Sequence, residues 1–328
     1  MSNPIISVLV PVYNVAPYIE RCVRSLFEQT YPNLEYVFVN DATPDDSMEI
    51  LERVMEDYPQ RKAQVKIVNH VSNRGLAAVR NTCVTHAMGE YVTFVDSDDY
   101  LCIDAIKCLY ERMVETQADL VMGNRVTVQE GFPAFISHFP RGCAFTQKDK
   151  FNILDTVVYA KLYHISLFEH IHWIEGLNLG EDVYTVPILF YYAKQIAVTE
   201  HTVYYYVKNA SSYTGSRTSL NYHAVEFYKG LQYLSEQFEA LPNAEDYLIW
   251  IDDVVLSRKV NDFKRAFPNY RLIKEISCVF PKAYQSIKRQ NLKSCIFLSL
   301  ASAKCYGLLY VVTGAQRFLV WCRKMLRG

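Results

Sequence analysis

The chain has 328 residues, half of them hydrophobic, and a formal net charge of −1. That length suits one large α/β domain, or a domain of ordinary size with an appendage. Nine cysteines form no Cys-x-x-Cys pair and no Cys/His cluster of zinc spacing, which excludes a disulfide scaffold or a zinc-stapled fold; reduced, mostly buried thiols in a cytoplasmic setting are expected. Met1-Ser2-Asn3-Pro4 lacks the charged-then-apolar layout of a signal peptide.

In chain order, Ile5 to Val10 is an apolar β run ending at Pro11. Ala16 to Gln29 has helical spacing, with Ile19, Cys22, Val23 and Leu26 on one face. Leu34 to Val39 is a second β run, closed by Asn40-Asp41. Asp45 to Tyr58 is helical, with Asp45, Asp46 or Ser47 as its cap. Val65 to Val68 is a third strand, Ala77 to Met88 a third helix stopped by Gly89, and Tyr91 to Val95 a fourth strand. Strands alternating with helices of this length predict a parallel sheet with right-handed crossovers. Polar groups gather at each strand's carboxyl end: Tyr13-Asn14, Asn40-Asp41, Asn69 to Arg74, and Asp96 to Asp99. In open α/β sheets that is where ligands bind.

The run Asp96-Ser97-Asp98-Asp99 sets three carboxylates just past a buried strand, where they repel one another. Water or a bound cation must offset that repulsion. Mg²⁺ or Mn²⁺ prefers hard oxygen ligands and is commonly shared with substrate phosphates, so the Asp-x-Asp suggests a metal and a diphosphate. The plainer reading is a solvated turn that caps the next helix, Asp104 to Glu115. A dinucleotide-dependent oxidoreductase would need Gly-x-Gly-x-x-Gly after the first strand, and residues 11 to 16 contain no glycine.

Five ordered segments resemble the family 2 inverting glycosyltransferases: Ile6 to Asn14, Val39 to Ser47, Asn73 to Asn81, Gly89 to Tyr100, and Glu175-Gly176-Leu177-Asn178-Leu179-Gly180-Glu181-Asp182. The resemblance covers roughly residues 5 to 215. It implies a GT-A fold, a mostly parallel Rossmann-like sheet flanked by helices. Residues 1–100 would be the nucleotide-binding half, 101–215 the acceptor half, and 216–328 a helical C-terminal region. It implies a nucleotide-sugar donor, UDP-linked, and a glycan or lipid-linked acceptor; a nucleic-acid partner is not expected. By resemblance Pro11 and Tyr13 line the nucleotide, with Tyr13 on the base, and Asp41 accepts from the uracil imide. Arg80 lies near the nucleotide, where it pairs with Asp41 or with a ribose or phosphate oxygen. Asp96 holds the ribose side or a metal-bound water, and Asp98 ligates Mg²⁺ or Mn²⁺. Asp99 is assigned the structural role, as a cap. The sequence departs from the commoner Asp-Asp-Gly-Ser pattern by Asn40 before the key aspartate and Ala42-Thr43-Pro44 after it.

A single-displacement transfer needs a base on the acceptor hydroxyl. The resemblance places it at Glu181-Asp182, expected to open a helix from about Val183 to Ala193, with Asp182 as the base and Glu181 beside it in the acceptor site. A helix N-terminus also favours such carboxylates through its dipole alone. A non-catalytic nucleotide-sugar-binding module of the same fold is the alternative.

Ile196 to Val207 reads as a strand, and the polar loop after it, with Lys208 and Arg217, as a lid whose cations neutralise the leaving diphosphate. From about Leu220 the pattern is helical. Of the 34 Lys and Arg, nine lie after Glu275, where none of the 35 Asp and Glu occurs. The apolar stretch Leu292 to Val312 is interrupted by Lys304 and is borderline for a membrane span of about 20 residues. A helix lying on an anionic membrane surface, at the inner face of the cell membrane, is expected from the basic tail.

Overall fold

The structure, a computed structural model, describes residues 3–139, 142–208 and 219–325. The chain separates into two compact units, Met1–Ala210 and Ser211–Gly328.

The first unit opens as strand, helix, strand, helix. The elements are β1 (Ile6–Val12), α1 (Ile19–Phe27), β2 (Leu34–Asn40), α2 (Ser47–Asp57), β3 (Val65–Asn69), α3 (Leu76–His86) and β4 (Tyr91–Phe94). The four strands are parallel in the order β3-β2-β1-β4. Alternate residues of a strand face opposite sides of a sheet. Ile6, Val8, Val10 and Val12 therefore join Ile19, Cys22, Val23 and Leu26 of α1 in one core. Leu9, Val37 and Val39 join Ala77, Val79 and Cys83 of α3 in the other. Burial on both faces explains why these strands read as unbroken apolar runs.

Then follow β5 (Tyr100–Leu101), α4 (Ala105–Thr116), β6 (Leu120–Val128), β7 (Phe135–Ser137), β8 (Gly142–Ala144), α5 (Gln147–Asn152), β9 (Lys161–His164), α6 (Val186–Tyr192) and β10 (Ile196–Val207). They extend the sheet to β3-β2-β1-β4-β9-β6-β10-β5. Strand β9 runs antiparallel to both β4 and β6, and β10 lies parallel to β6. The sheet is thus mixed beyond β4, with its parallel half where alternation with helices predicts it.

The register fixes the functional edge. Val12 pairs with Asn40, and Asn40 with Asn69. Tyr13, Asp41 and His70 accordingly stand one residue past three adjacent strands.

Three expectations are corrected here. Asp99 is not a helix cap: it is buried, and it accepts from Tyr204 Oη and from Val207 N, each at 2.7 Å. It ties the Asp-x-Asp turn to β10. Glu181-Asp182 does not form the first turn of a helix. α6 begins at Val186, and the Asp182 carbonyl accepts from Thr185 N and Val186 N, so the pair sits in the turn before it. Of the eight described cysteines only Cys22 and Cys83 are buried, although all eight are free thiols.

The second unit contains α7 (Ser219–Glu239), α8 (Glu245–Ala266), α9 (Tyr270–Cys278), α10 (Leu292–Ser302) and α11 (Tyr306–Met325). Phe227, Tyr228, Leu231, Leu234 and Phe238 of α7 are buried, as are Tyr247, Ile251, Val255, Leu256 and Phe263 of α8. The apolar stretch Leu292 to Val312 is not one helix. It breaks between α10 and α11, where Lys304 adopts φ 57°. Among the described residues no helix is long and apolar enough to cross a membrane.

Candidate functional site

α3 is the spine of the site. It starts after Gly75, whose φ of 86° favours glycine and where a Cβ would meet the Asn178 side chain at 2.5 Å. Its inward face carries Ala77, Ala78, Val79, Cys83 and also Arg80, which is 1% exposed. The Glu175 to Asp182 loop is laid along this helix and the turn before it in regular steps. Arg74 Nη2 meets Glu175 Oε1 at 2.6 Å, Ala77 N donates to Asn178 Oδ1 at 3.2 Å, and Arg80 Nη2 donates to Glu181 Oε1 at 3.0 Å. Asn81 adds a two-way bond to the Trp173 backbone, at 2.7 and 2.9 Å. Residues three apart lie on one side of a helix, so the loop follows one stripe and delivers Glu181 and Asp182 to Arg80.

Arg80 gathers three carboxylates. Its Nε and Nη2 reach Glu181 Oε1, its Nη2 lies 3.3 Å from Asp96 Oδ1, and its Nε lies 3.6 Å from Asp182 Oδ1. The guanidinium also sits 5.5 Å from the centre of the Phe94 ring. Burial opposes its charge, but Asp182, Asp96 and Glu181 together outweigh burial and raise its pKa. Removing such a cation would strand the buried Glu181 beside the partly buried Asp96 and Asp182, a loss on the order of 3–5 kcal/mol. Burial, then the Asp182 charge, raises the pKa of Glu181 against the pull of Arg80. Asp96 is pushed up to about 6, by burial and by Asp98 and Asp182, with Arg80 opposing. Burial first, then Asp98 and Asp96, pushes Asp99 up to about 9.

Asp182 is placed differently from Glu181. Its Oδ2 accepts from Val158 N at 3.1 Å, whereas its Oδ1 and the Arg80 Nη1 are buried without a hydrogen-bond partner among the described residues. Glu181 is hydrogen-bonded to Arg80, while Asp182 Oδ1 faces the guanidinium at 3.6 Å, at ion-pair distance only.

Asp41 does not pair with Arg80. Its carboxylate accepts from His70 Nδ1 at 2.7 Å, Arg74 N at 2.9 Å and Gly75 N at 2.8 Å. Tyr13 is 47% exposed at the same sheet edge, and Pro11 is buried within β1 opposite Val39. Ala42 stands where the commoner pattern has glycine, and it adopts the left-handed φ of 54° at a cost of about 1–3 kcal/mol. Lys208 is exposed, its N–H donating to Val128 O. Arg217 lies outside the described residues. His70 was not singled out from the sequence; the polar run Asn69 to Arg74 was its only signal.

Asp96 and Asp98 offer oxygen donors of the kind Mg²⁺ and Mn²⁺ prefer, and a divalent cation would offset both the burial and, after it, the Asp98 charge that raise Asp96. No group of three or more metal-ligating side chains occurs among the described residues. An Asp-x-Asp pair suits an ion that takes one or two carboxylates and completes its shell with phosphate and water.

A sheet of this order, with its polar cluster at the carboxyl ends of the parallel strands and an Asp-x-Asp after β4, defines a GT-A glycosyltransferase fold. *Staphylococcus aureus* TarS residues 1–349, solved with UDP-GlcNAc, shares it at a TM-score of 0.76 and 22% identity, over 95% of this chain and 91% of that one. The sequence profile of Glycosyl transferase family 2 matches residues 7–171, and the chain belongs to that family. Glycosyltransferase GlyA of Streptococcus pneumoniae is 33% identical over 216 residues, which are 61% of this chain and 30% of GlyA. A poly(ribitol-phosphate) beta-glucosyltransferase of Bacillus spizizenii is 30% identical over 266 residues, 79% of this chain and 40% of that protein. The chain thus spans well under half the length of these two relatives.

Proposed function

We propose that the protein transfers a sugar, with inversion, from a UDP-linked donor to a hydroxyl of a surface glycan or polymer. The observation that carries this reading is the Arg80 cluster. One buried cation holds Asp96, at the end of the nucleotide-side strand, together with Glu181 and Asp182 from the loop before α6. Donor-side and acceptor-side carboxylates are thereby kept in one place.

Tyr13 stacks on the base and Asp41 accepts its imide N–H. A carboxylate facing that position favours uracil over cytosine, whose N3 is an acceptor. Asp98, with Asp96, would hold Mg²⁺ or Mn²⁺, which when bound supplies charge neutralisation to the leaving diphosphate. Asp182 takes the proton of the acceptor hydroxyl. That oxygen bonds to the anomeric carbon as the anomeric carbon–oxygen bond to the diphosphate breaks. Glu181 keeps Arg80 in place and Arg80 keeps Asp182 oriented. TarS in complex with UDP-GlcNAc supports a uridine donor, and the Bacillus spizizenii relative supports a polymer acceptor.

A panel of nucleotide sugars with Mn²⁺, followed by proton NMR of the product, tests this. The expected result is turnover with a uridine donor and a product whose anomeric configuration is opposite to the donor's. A product of retained configuration would contradict the single displacement. Tight binding of a donor without nucleotide release, across acceptors, would favour a non-catalytic binding module.

A further inference from the structure

His70 is the buried group at the strand ends that this chemistry leaves unused. It follows β3, its N–H donates to Asn40 O at 2.9 Å, and its side chain is 5% exposed. The ring is held at both ends: Nδ1 lies 2.7 Å from Asp41 Oδ1, and Nε2 lies 2.9 Å from Thr82 Oγ1 on α3. An ionised carboxylate only accepts, so Nδ1 carries the proton toward Asp41. Thr82 Oγ1, whose proton goes to the Ala78 carbonyl at 3.0 Å, anchors the Nε2 end of the ring to α3. The ring is thereby fixed between Asp41 at the strand ends and Thr82 on α3.

A carboxylate has about four acceptor sites. On Asp41 the chain fills three of them: His70 and Arg74 N on Oδ1, and Gly75 N on Oδ2. Asp41 is 2% exposed, so its plane is fixed by these donors and by packing. The remaining site is on Oδ2.

We propose that His70 is a positioning residue that locks the Asp41 carboxylate so that one acceptor site, on Oδ2, is presented to the imide N–H of a uracil nucleotide. The inference rests on the reading above that Asp41 faces the base. Without the His70 donor, Oδ1 keeps a single backbone partner and the carboxylate rocks. The discrimination between uracil and cytosine then falls, while contacts to the diphosphate stay.

Calorimetric titration of UDP, CDP and pyrophosphate, each with Mn²⁺, separates these effects in wild type, His70→Ala, His70→Asn and Asp41→Ala. His70→Ala is expected to weaken UDP about tenfold, the scale of one lost hydrogen bond to a charged group, with pyrophosphate within about twofold of wild type. His70→Asn, whose amide donates from nearly the place of Nδ1, is expected to restore most of the UDP preference. If His70→Ala fails to fold, His70→Phe keeps the ring and removes the donor, and its contrast with His70→Asn decides. A wild-type UDP-to-CDP ratio in the donor-less variant, alongside a lost ratio in Asp41→Ala, overturns the role of His70 and leaves the base reading standing. Equal weakening of all three ligands also overturns it, since a merely structural residue would act that way. If Asp41→Ala itself keeps the ratio, the base reading falls and the inference with it.

Discussion

At the scale of single residues, burial decides which charged groups do chemistry and which hold the fold. Lys259 of α8 is fully buried, its ammonium 4.3 Å from the centre of the Tyr284 ring and donating to Val279 O. Burial pushes its pKa down to about 7 from 10.5. Below about 7 the lysine is charged both folded and unfolded, and the penalty for burying it is fully present. Between about 7 and 10 the unfolded chain binds the extra proton, so stability rises with pH. Denaturant unfolding should show a slope of about 1.4 kcal/mol per pH unit across that window in wild type, which Lys259→Met lacks. Equal slopes in the two proteins would place the buried charge elsewhere. Individual residues were also where the sequence was hardest to read. Arg80 was legible as a nucleotide-side residue, yet its partners Glu181 and Asp182 are about a hundred positions away, and spacing says nothing about such pairs. His70 stood in a polar run in which every residue had an equal claim.

At the scale of elements, β1, β2 and β4 were legible because they are buried on both faces, and α1 because it has one apolar stripe. Beyond β4 the sheet adds, beside the longer β6 and β10, four short antiparallel strands, β5, β7, β8 and β9. Pieces of two to four residues carry no periodicity to read. The role of Asp99 is hidden for the same reason, since its partners lie 105 and 108 residues further on. In the C-terminal helices the apolar residues divide in two. Phe297, Leu298, Ala301 and Leu309 are buried, and Tyr310 packs on Phe267 and Tyr270. Removing this part of the chain would therefore strip a core. Leu292, Ile296, Leu308 and Val311 are exposed, as are Lys288 and Lys304. If this surface meets anionic lipid, each cation contributes roughly 1 kcal/mol. The full chain should then sediment with phosphatidylglycerol vesicles at low salt, and Lys288→Glu with Lys304→Glu should reduce the bound fraction. Wild-type protein left in the supernatant would rule out the membrane role.

At the scale of the whole molecule, the sequence indicated the fold through the order and separation of five polar segments, and the sheet explains why that order matters. Parallel strands bring Tyr13, Asp41, His70 and Asp96 to one edge although they span more than eighty residues. α3 then brings the Glu175 to Asp182 loop to the same edge. We propose that this loop completes the reaction centre, with Asp182 as its base. Single-turnover transfer from a bound uridine donor by Asp182→Asn, measured beside UDP affinity for the same variant, tests it most directly. The variant should transfer about 10²- to 10⁴-fold more slowly with UDP affinity nearly unchanged. Transfer at close to the wild-type rate, or UDP affinity lost together with transfer, would contradict it.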